Sequence, residues 1–271
     1  KLSDMHPYTP CKTGIPAHDT IMDFTLHSYR KLLQTLVIQQ YHFQTFEEFL
    51  KSPKEKTVVL RHDVDSSPQN SLAFAKIQNE AGIAGVYYFR AVAQSWNERI
   101  IQEIASLGHE VGYHYECLTT CRGDIKQGIL DFERNLDRFR LLVPVSTICM
   151  HGSPMSKYDS KDLWKTYSYR DFGIIGEPYF DVDFEKVLYL TDTGRRWDGE
   201  KVSVRDKVKK GRTHPFKTTK ELTEAAAKGL LPDQLMFTFH PQRWNDQQVP
   251  WVKELVMQNI KNVVKKYFFV K

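Results

Sequence analysis

Short apolar runs that alternate with helical stretches, each run ending in an ionisable residue, constrain this chain more than any other feature. Thr57-Val58-Val59-Leu60 ends at Arg61-His62-Asp63-Val64-Asp65, and Gly85-Val86-Tyr87-Tyr88-Phe89 ends at Arg90. Residues 110–113 lead to His114-Tyr115-Glu116, and residues 146–150 lead to His151. Leu235-Met236-Phe237-Thr238-Phe239 ends at His240, and weaker runs at 173–176 and 187–190 lead to Glu177 and Asp192. Apolar runs of this length suit buried parallel strands, and strand–helix alternation is the pattern of a parallel α/β fold. In a β/α barrel all the C-terminal strand ends share one rim, and the chemistry sits there. The expectation is one domain over 1–271, a single incomplete (β/α) barrel of about seven parallel strands, TIM-barrel-like.

The helices are marked by their punctuation. An apolar face of Leu32, Leu33, Leu36 and Val37 predicts a helix over 24–40. Ser66, Ser67 and Pro68 open the next, since serine caps free N–H groups and proline tolerates the first turn; Gly82 stops it. A helix over 97–107 ends at Gly108, Asp124 caps a long one ending before Pro144, residues 218–228 form another, and Pro250 opens the last. There is no internal repeat and no low-complexity tract.

Composition excludes more than it proposes. With 41% hydrophobic and 26% charged residues, the 271-residue chain is an ordinary globular sequence. A net charge of +5 without a recognition motif argues against nucleic acid as a partner. No apolar run approaches the ~20 residues of a membrane span. No signal-peptide core opens the sequence, although a start at Lys1 leaves room for a trimmed leader. Cys11, Cys117, Cys121 and Cys149 form no C-x-x-C pair and read as reduced thiols of a cytoplasmic protein.

Asp63-x-Asp65 directly follows a buried strand. Two carboxylates there either hold a cation, or divide into ligand and base, or cap the next helix. His114, His151 and His240 each end a strand; imidazole suits zinc, cobalt and similar ions, and also general acid chemistry. His109 reads as structural, capping a helix or bonding a backbone carbonyl.

The order of these motifs resembles the polysaccharide deacetylases (the NodB-homology, family 4 carbohydrate esterase group) in a divergent form. Leu60-Arg61-His62-Asp63-Val64-Asp65 is similar to that family's first motif, which implies Asp63 as catalytic base and Asp65 as metal ligand. Gly108-His109-Glu110-Val111-Gly112-Tyr113-His114 is similar to the second, implying His114 as ligand. Phe239-His240-Pro241 is similar to the last, implying His240 as catalytic acid. Two departures stand out. The family's second metal histidine falls on Leu118, and His151-Gly152-Ser153-Pro154 replaces an arginine-containing motif. His151 is therefore expected to complete the ligand set, with Glu116 as the alternative.

The resemblance implies a metal-dependent hydrolase that removes an N-acetyl group from a sugar or surface-polysaccharide precursor, with a divalent metal, zinc first, as cofactor. A saccharide or nucleotide-sugar would be the partner. Arg61, Arg90, Glu116, Arg195, Arg196, Trp197 and Arg243 are the expected substrate contacts, because arginine binds carboxylate or phosphate and tryptophan stacks on a sugar face. A basic stretch with Lys201, Arg205, Lys207, Lys209, Lys210 and Arg212 follows them. Two alternatives remain: a catalytically silent saccharide-binding protein, and a metal-dependent amidohydrolase acting on a small cyclic amide.

Overall fold

The computed structural model describes residues 22–153, 156–198 and 214–268. Among these residues seven strands form one sheet: β1 (His42–Gln44), β2 (Thr57–Val64), β3 (Val86–Phe89), β4 (Glu110–Tyr115), β5 (Ile148–Met150), β6 (Leu188–Thr191) and β7 (Gln234–Phe239). Every pairing is parallel, in the order β5-β4-β3-β2-β7-β6. β1 shares one edge of β2 with β3, pairing with residues 57–59 while β3 pairs with residues 61–64. No ladder joins β5 to β6 among the described residues, so the barrel is incomplete.

Alternation along the strands builds the site. Successive side chains on a strand point to opposite faces. Val59, Val86, Tyr88, Cys149, Tyr189 and Met236 pack together in a small cluster separate from the main core under the outer helices. The same period of two carries β2 from Val59 through Arg61 to Asp63, β4 from Gly112 through His114 to Glu116, and β5 from Cys149 to His151. On β7 it runs from Met236 through Thr238 to His240. Burial inside the barrel therefore passes into ionisable chemistry at the rim without a change of face. Gly112 is required here: a Cβ would lie 2.3 Å from the Tyr88 ring, which fills the interior and hydrogen-bonds Thr147 at 3.0 Å.

Nine α-helices connect and cover the strands among the described residues: α1 (Leu26–Ile38), α2 (Phe46–Lys51), α3 (Pro68–Glu80), α4 (Glu98–Ser106), α5 (Cys117–Thr120), α6 (Ile125–Arg140), α7 (Pro178–Asp181), α8 (Thr219–Ala227) and α9 (Gln248–Phe268). Asn97, Asp124 and Thr218 cap α4, α6 and α8 through their side chains. α1 is shorter than its apolar pattern suggests. Phe24 and Gln40 both have positive φ (58° and 62°), a conformation a helix cannot include, and Val37 is exposed. Ser67 precedes α3 but makes no capping bond through its side chain. The apolar residues 173–176 form no strand: Gly173 turns the chain at φ 69°, and only a single bridge joins Gly176 to Thr147. β1 is the seventh strand instead. Cys117, Cys121 and Cys149 are free thiols, and no described helix is long and apolar enough to cross a membrane.

Candidate metal centre and its flanking acid and base

Three side chains from three strand ends converge on one point. His151 Nδ1 lies 3.0 Å from Asp65 Oδ1 and 3.3 Å from His114 Nε2, and the third edge, His114 Nε2 to Asp65 Oδ1, is 3.6 Å. Donors at about 2.0–2.2 Å from a tetrahedral zinc stand roughly 3.3–3.6 Å apart; two edges of the triangle have that length and the third, at 3.0 Å, is slightly shorter. Two further observations fit a cation. Asp65 Oδ1 is buried without a hydrogen-bond partner. His114 faces the backbone carbonyl of Cys149 with Nδ1 at 2.9 Å; a proton there leaves the Nε2 lone pair toward the triangle.

Burial alone would raise the Asp65 carboxyl, but the facing His151, His114 and His240 rings outweigh it and hold it well below the usual carboxylate range. Gln242 donates to Asp65 Oδ2 at 3.2 Å and fixes the plane of the carboxylate. Gln242 stands two residues after His240, in the run His240-Pro241-Gln242-Arg243-Trp244.

Glu116 lies outside the triangle. Its two oxygens accept from Arg90 at 2.9 and 2.8 Å, and its nearest approach to His151 is 3.9 Å, at the outer Nε2. Arg90 also donates to the Asp65 carbonyl at 3.1 Å, tying the ends of β2, β3 and β4 together. Leu118 sits on α5, 2% exposed, packed into the core beside Gly128.

Asp63 stands on one side of the triangle, its Oδ2 3.7 Å from His114 Nε2. Arg61, two residues earlier on the same face, grips both its oxygens at 2.8 and 2.6 Å, and the pair is buried. Asp63, His114 and Cys149 also form a buried group of potential ligands. A guanidinium already paired with Asp63 makes that second group a poor place for another cation.

His240 stands on the other side, with Nε2 4.0 Å from Asp65 Oδ2 and Nδ1 2.5 Å from Asp192 Oδ1. Asp192 is fully buried and also accepts from the His240 amide, Arg243 Nη1 and Trp244 Nε1 at 2.9, 2.9 and 2.6 Å. Burial pushes its carboxyl up, and His240 and Arg243 more than reverse this, so it stays below the usual range. Glu177 serves the opposite edge of the sheet, at the end of β5: it accepts from the amides of Met150 and Tyr179 and caps α7, and burial pushes it up to about 7.

Of the expected substrate contacts, Arg61, Arg90, Glu116 and Arg243 are at the site, but each holds another protein group. Arg195, Arg196 and Trp197 are likewise engaged by the protein itself. Trp197 is 1% exposed, packed against Phe24, Phe237, Phe239 and Trp244, with its Nε1 donating to Thr219 at 3.0 Å. No ring face is left for a sugar. Arg195 donates to the Arg243 carbonyl at 2.8 Å and lies over Phe24 and Trp251. Arg196 pairs with Asp198. His109 bonds the Ala75 carbonyl at 2.9 Å, the structural role its sequence suggested. Pro154 and the basic residues from Lys201 to Arg212 lie outside the described residues.

No protein-family model and no curated sequence matches the chain. By structure it is similar to a family 4 carbohydrate esterase from Streptococcus mutans, at 13% identity over 82% of this chain and 87% of that one, with a TM-score of 0.44. A family 4 carbohydrate esterase from Bacillus anthracis is similar at 8% identity over 85% and 84%, TM-score 0.39. A pseudoenzyme of the same family from Bacillus anthracis is similar at 14% identity over 80% and 63%, TM-score 0.40. At this distance the fold rests on the strand order and the site on its own distances.

Proposed function

We propose that this protein is a metal-dependent hydrolase that removes an N-acetyl group from a saccharide. The observation that carries the reading is the triangle of Asp65 Oδ1, His114 Nε2 and His151 Nδ1, with a carboxylate on one side and a carboxylate-bound imidazole on the other. A divalent cation held by these three donors, zinc first for a mixed nitrogen and oxygen set, would supply Lewis-acid polarisation of a carbonyl and a lowered pKa of water.

The protein's own groups divide the proton work. Asp63 takes the proton of the attacking water, with Arg61 fixing the plane of its carboxylate. His240 delivers a proton from Nε2 to the departing amine, which an amide needs because an amide anion is a very poor leaving group. Asp192 holds the opposite ring nitrogen and so sets which nitrogen faces the reaction. Arg90 and Glu116 hold the strand ends that carry Asp65 and His114.

The reading is tested by acetate release from N-acetylated oligosaccharides and nucleotide-linked N-acetyl sugars, using zinc-loaded protein beside Asp63→Asn and His240→Ala. Release by the wild type, reduced about 10²-fold or more in each variant, supports it. Saccharide binding with no release by any of the three supports the silent binding protein in its place.

A further inference from the structure

The last helix, α9, is mounted with its polar side inward. Trp251 Nε1 donates to the Asp23 carbonyl at 2.6 Å, Gln258 is 2% exposed, and Asn262 Nδ2 donates to the Gly194 carbonyl at 3.0 Å. The opposite side presents Val249, Val252, Val256, Met257, Ile260 and Val263, each 45–80% exposed. At 3.6 residues per turn these six fall within an arc of about 140°. A contiguous apolar face of this kind on a soluble surface marks an interaction site.

The charge on the helix selects the partner. Lys253 is exposed within the arc and Lys261 is exposed beside it. Residues 248–271 carry Lys253, Lys261, Lys265, Lys266 and Lys271 against Glu254 alone. An apolar face with lysines within and beside it suits a helix that lies in the plane of a bilayer interface, with aliphatic side chains among the acyl chains and the long lysine stems carrying their ammonium groups up to the headgroups. A second copy is a worse partner, because two helices of the same positive charge would meet with Lys253 inside the contact. We propose that α9 docks this protein on an anionic lipid surface, lying parallel to it with the face from Val249 to Val263 buried at the headgroup boundary. The docking is independent of the chemistry assigned to the strand ends.

Co-sedimentation of the full chain with vesicles tests this. One set is phosphatidylcholine alone, and the other contains about one third phosphatidylserine, enough to carry an anionic surface potential. The wild type should sediment with the anionic vesicles, weakly with the neutral ones, and be released by high salt. Val256→Glu with Ile260→Glu should weaken the binding about tenfold or more; both side chains are about half exposed, so the fold should survive, and an unchanged melting curve checks that. Lys253→Glu with Lys261→Glu should remove the preference for anionic vesicles. Failure of the wild type to bind either vesicle at low salt would overturn the proposal, as would equal binding to both. A concentration-dependent dimer abolished by the Val256 and Ile260 changes, without vesicle binding, would assign the face to a second copy instead.

Discussion

The carboxylate of Asp192 holds His240 twice, accepting from its backbone amide at 2.9 Å and facing its ring Nδ1 at 2.5 Å. The two residues end adjacent strands, and Arg243 and Trp244 close around the same carboxylate. The imidazole therefore has one orientation and one free nitrogen. Replacing Asp192 by Asn should lower acetate release by about 10²- to 10⁴-fold while leaving metal content unchanged, because Asp192 is not part of the ligand triangle. Elemental analysis and steady-state kinetics on the same preparation separate the two effects. Unaltered turnover would contradict the role given to His240.

The ligand triangle distinguishes His151 from Glu116. His151→Ala removes a donor and should abolish stoichiometric metal binding. Glu116→Gln touches only a partner that holds Arg90 and approaches the outer nitrogen of His151, and should weaken the metal by about 10- to 100-fold at most. Competition titration with a chromophoric chelator measures both. Full affinity in His151→Ala together with loss in Glu116→Gln would move the third ligand to Glu116.

Glu110, at the start of β4, is pushed up to about 7 by burial among Glu47, Thr147 and Tyr88. A carboxyl raised on folding favours the folded state below its unfolded value near 4.5 and loses that contribution as pH rises through about 7. At ~1.4 kcal/mol per pKa unit, a rise from 4.5 to about 7 makes the loss roughly 3–4 kcal/mol. His62, buried and depressed to about 3, acts the other way, contributing stability above about 6.5 that is lost on acidification. The measurement is therefore a difference. Urea denaturation of wild type and Glu110→Gln at pH 5 and pH 8 should show the variant gaining relative stability at the higher pH. An equal difference at the two values would contradict the buried protonated carboxyl.

Trp197 is a core residue in this structure. Trp197→Ala should destabilise by about 3–5 kcal/mol, visible as a lowered melting temperature. Trp197→Phe should keep saccharide affinity, which titration calorimetry reads directly. A large loss of affinity in a folded Trp197→Phe protein would return the residue to the binding surface.

Much of the architecture was legible because strands that are buried on both faces must be written as continuous apolar runs. β2, β3, β4 and β7 were found this way, each with its polar end. β1 escaped because three residues, His42 to Gln44, carry no period, and 173–176 misled because an apolar Gly-Ile-Ile-Gly reads the same in a turn as in a strand. The convergence of Asp63, Asp65, His114, His151 and His240 followed from parallel strands sharing a rim. What their arginines do was not legible. Whether Arg61 reaches outward or folds onto Asp63 depends on a rotamer, and Arg243 faces Asp192 only because β6 lies beside β7. Trp197 looked available because its neighbours in sequence are polar; its neighbours in space, Phe24, Phe237, Phe239 and Trp244, come from distant segments.

Metal content is the sharpest test of a site built from Asp65, His114 and His151. Wild-type protein and His114→Ala are dialysed against zinc at neutral pH, freed of excess metal and analysed for elements, with circular dichroism to confirm that the variant folds. About one equivalent of a divalent transition metal is expected in the wild type, and its loss in His114→Ala. Wild-type protein that holds no metal after zinc loading, or a folded His114→Ala that holds as much as the wild type, would contradict such a site.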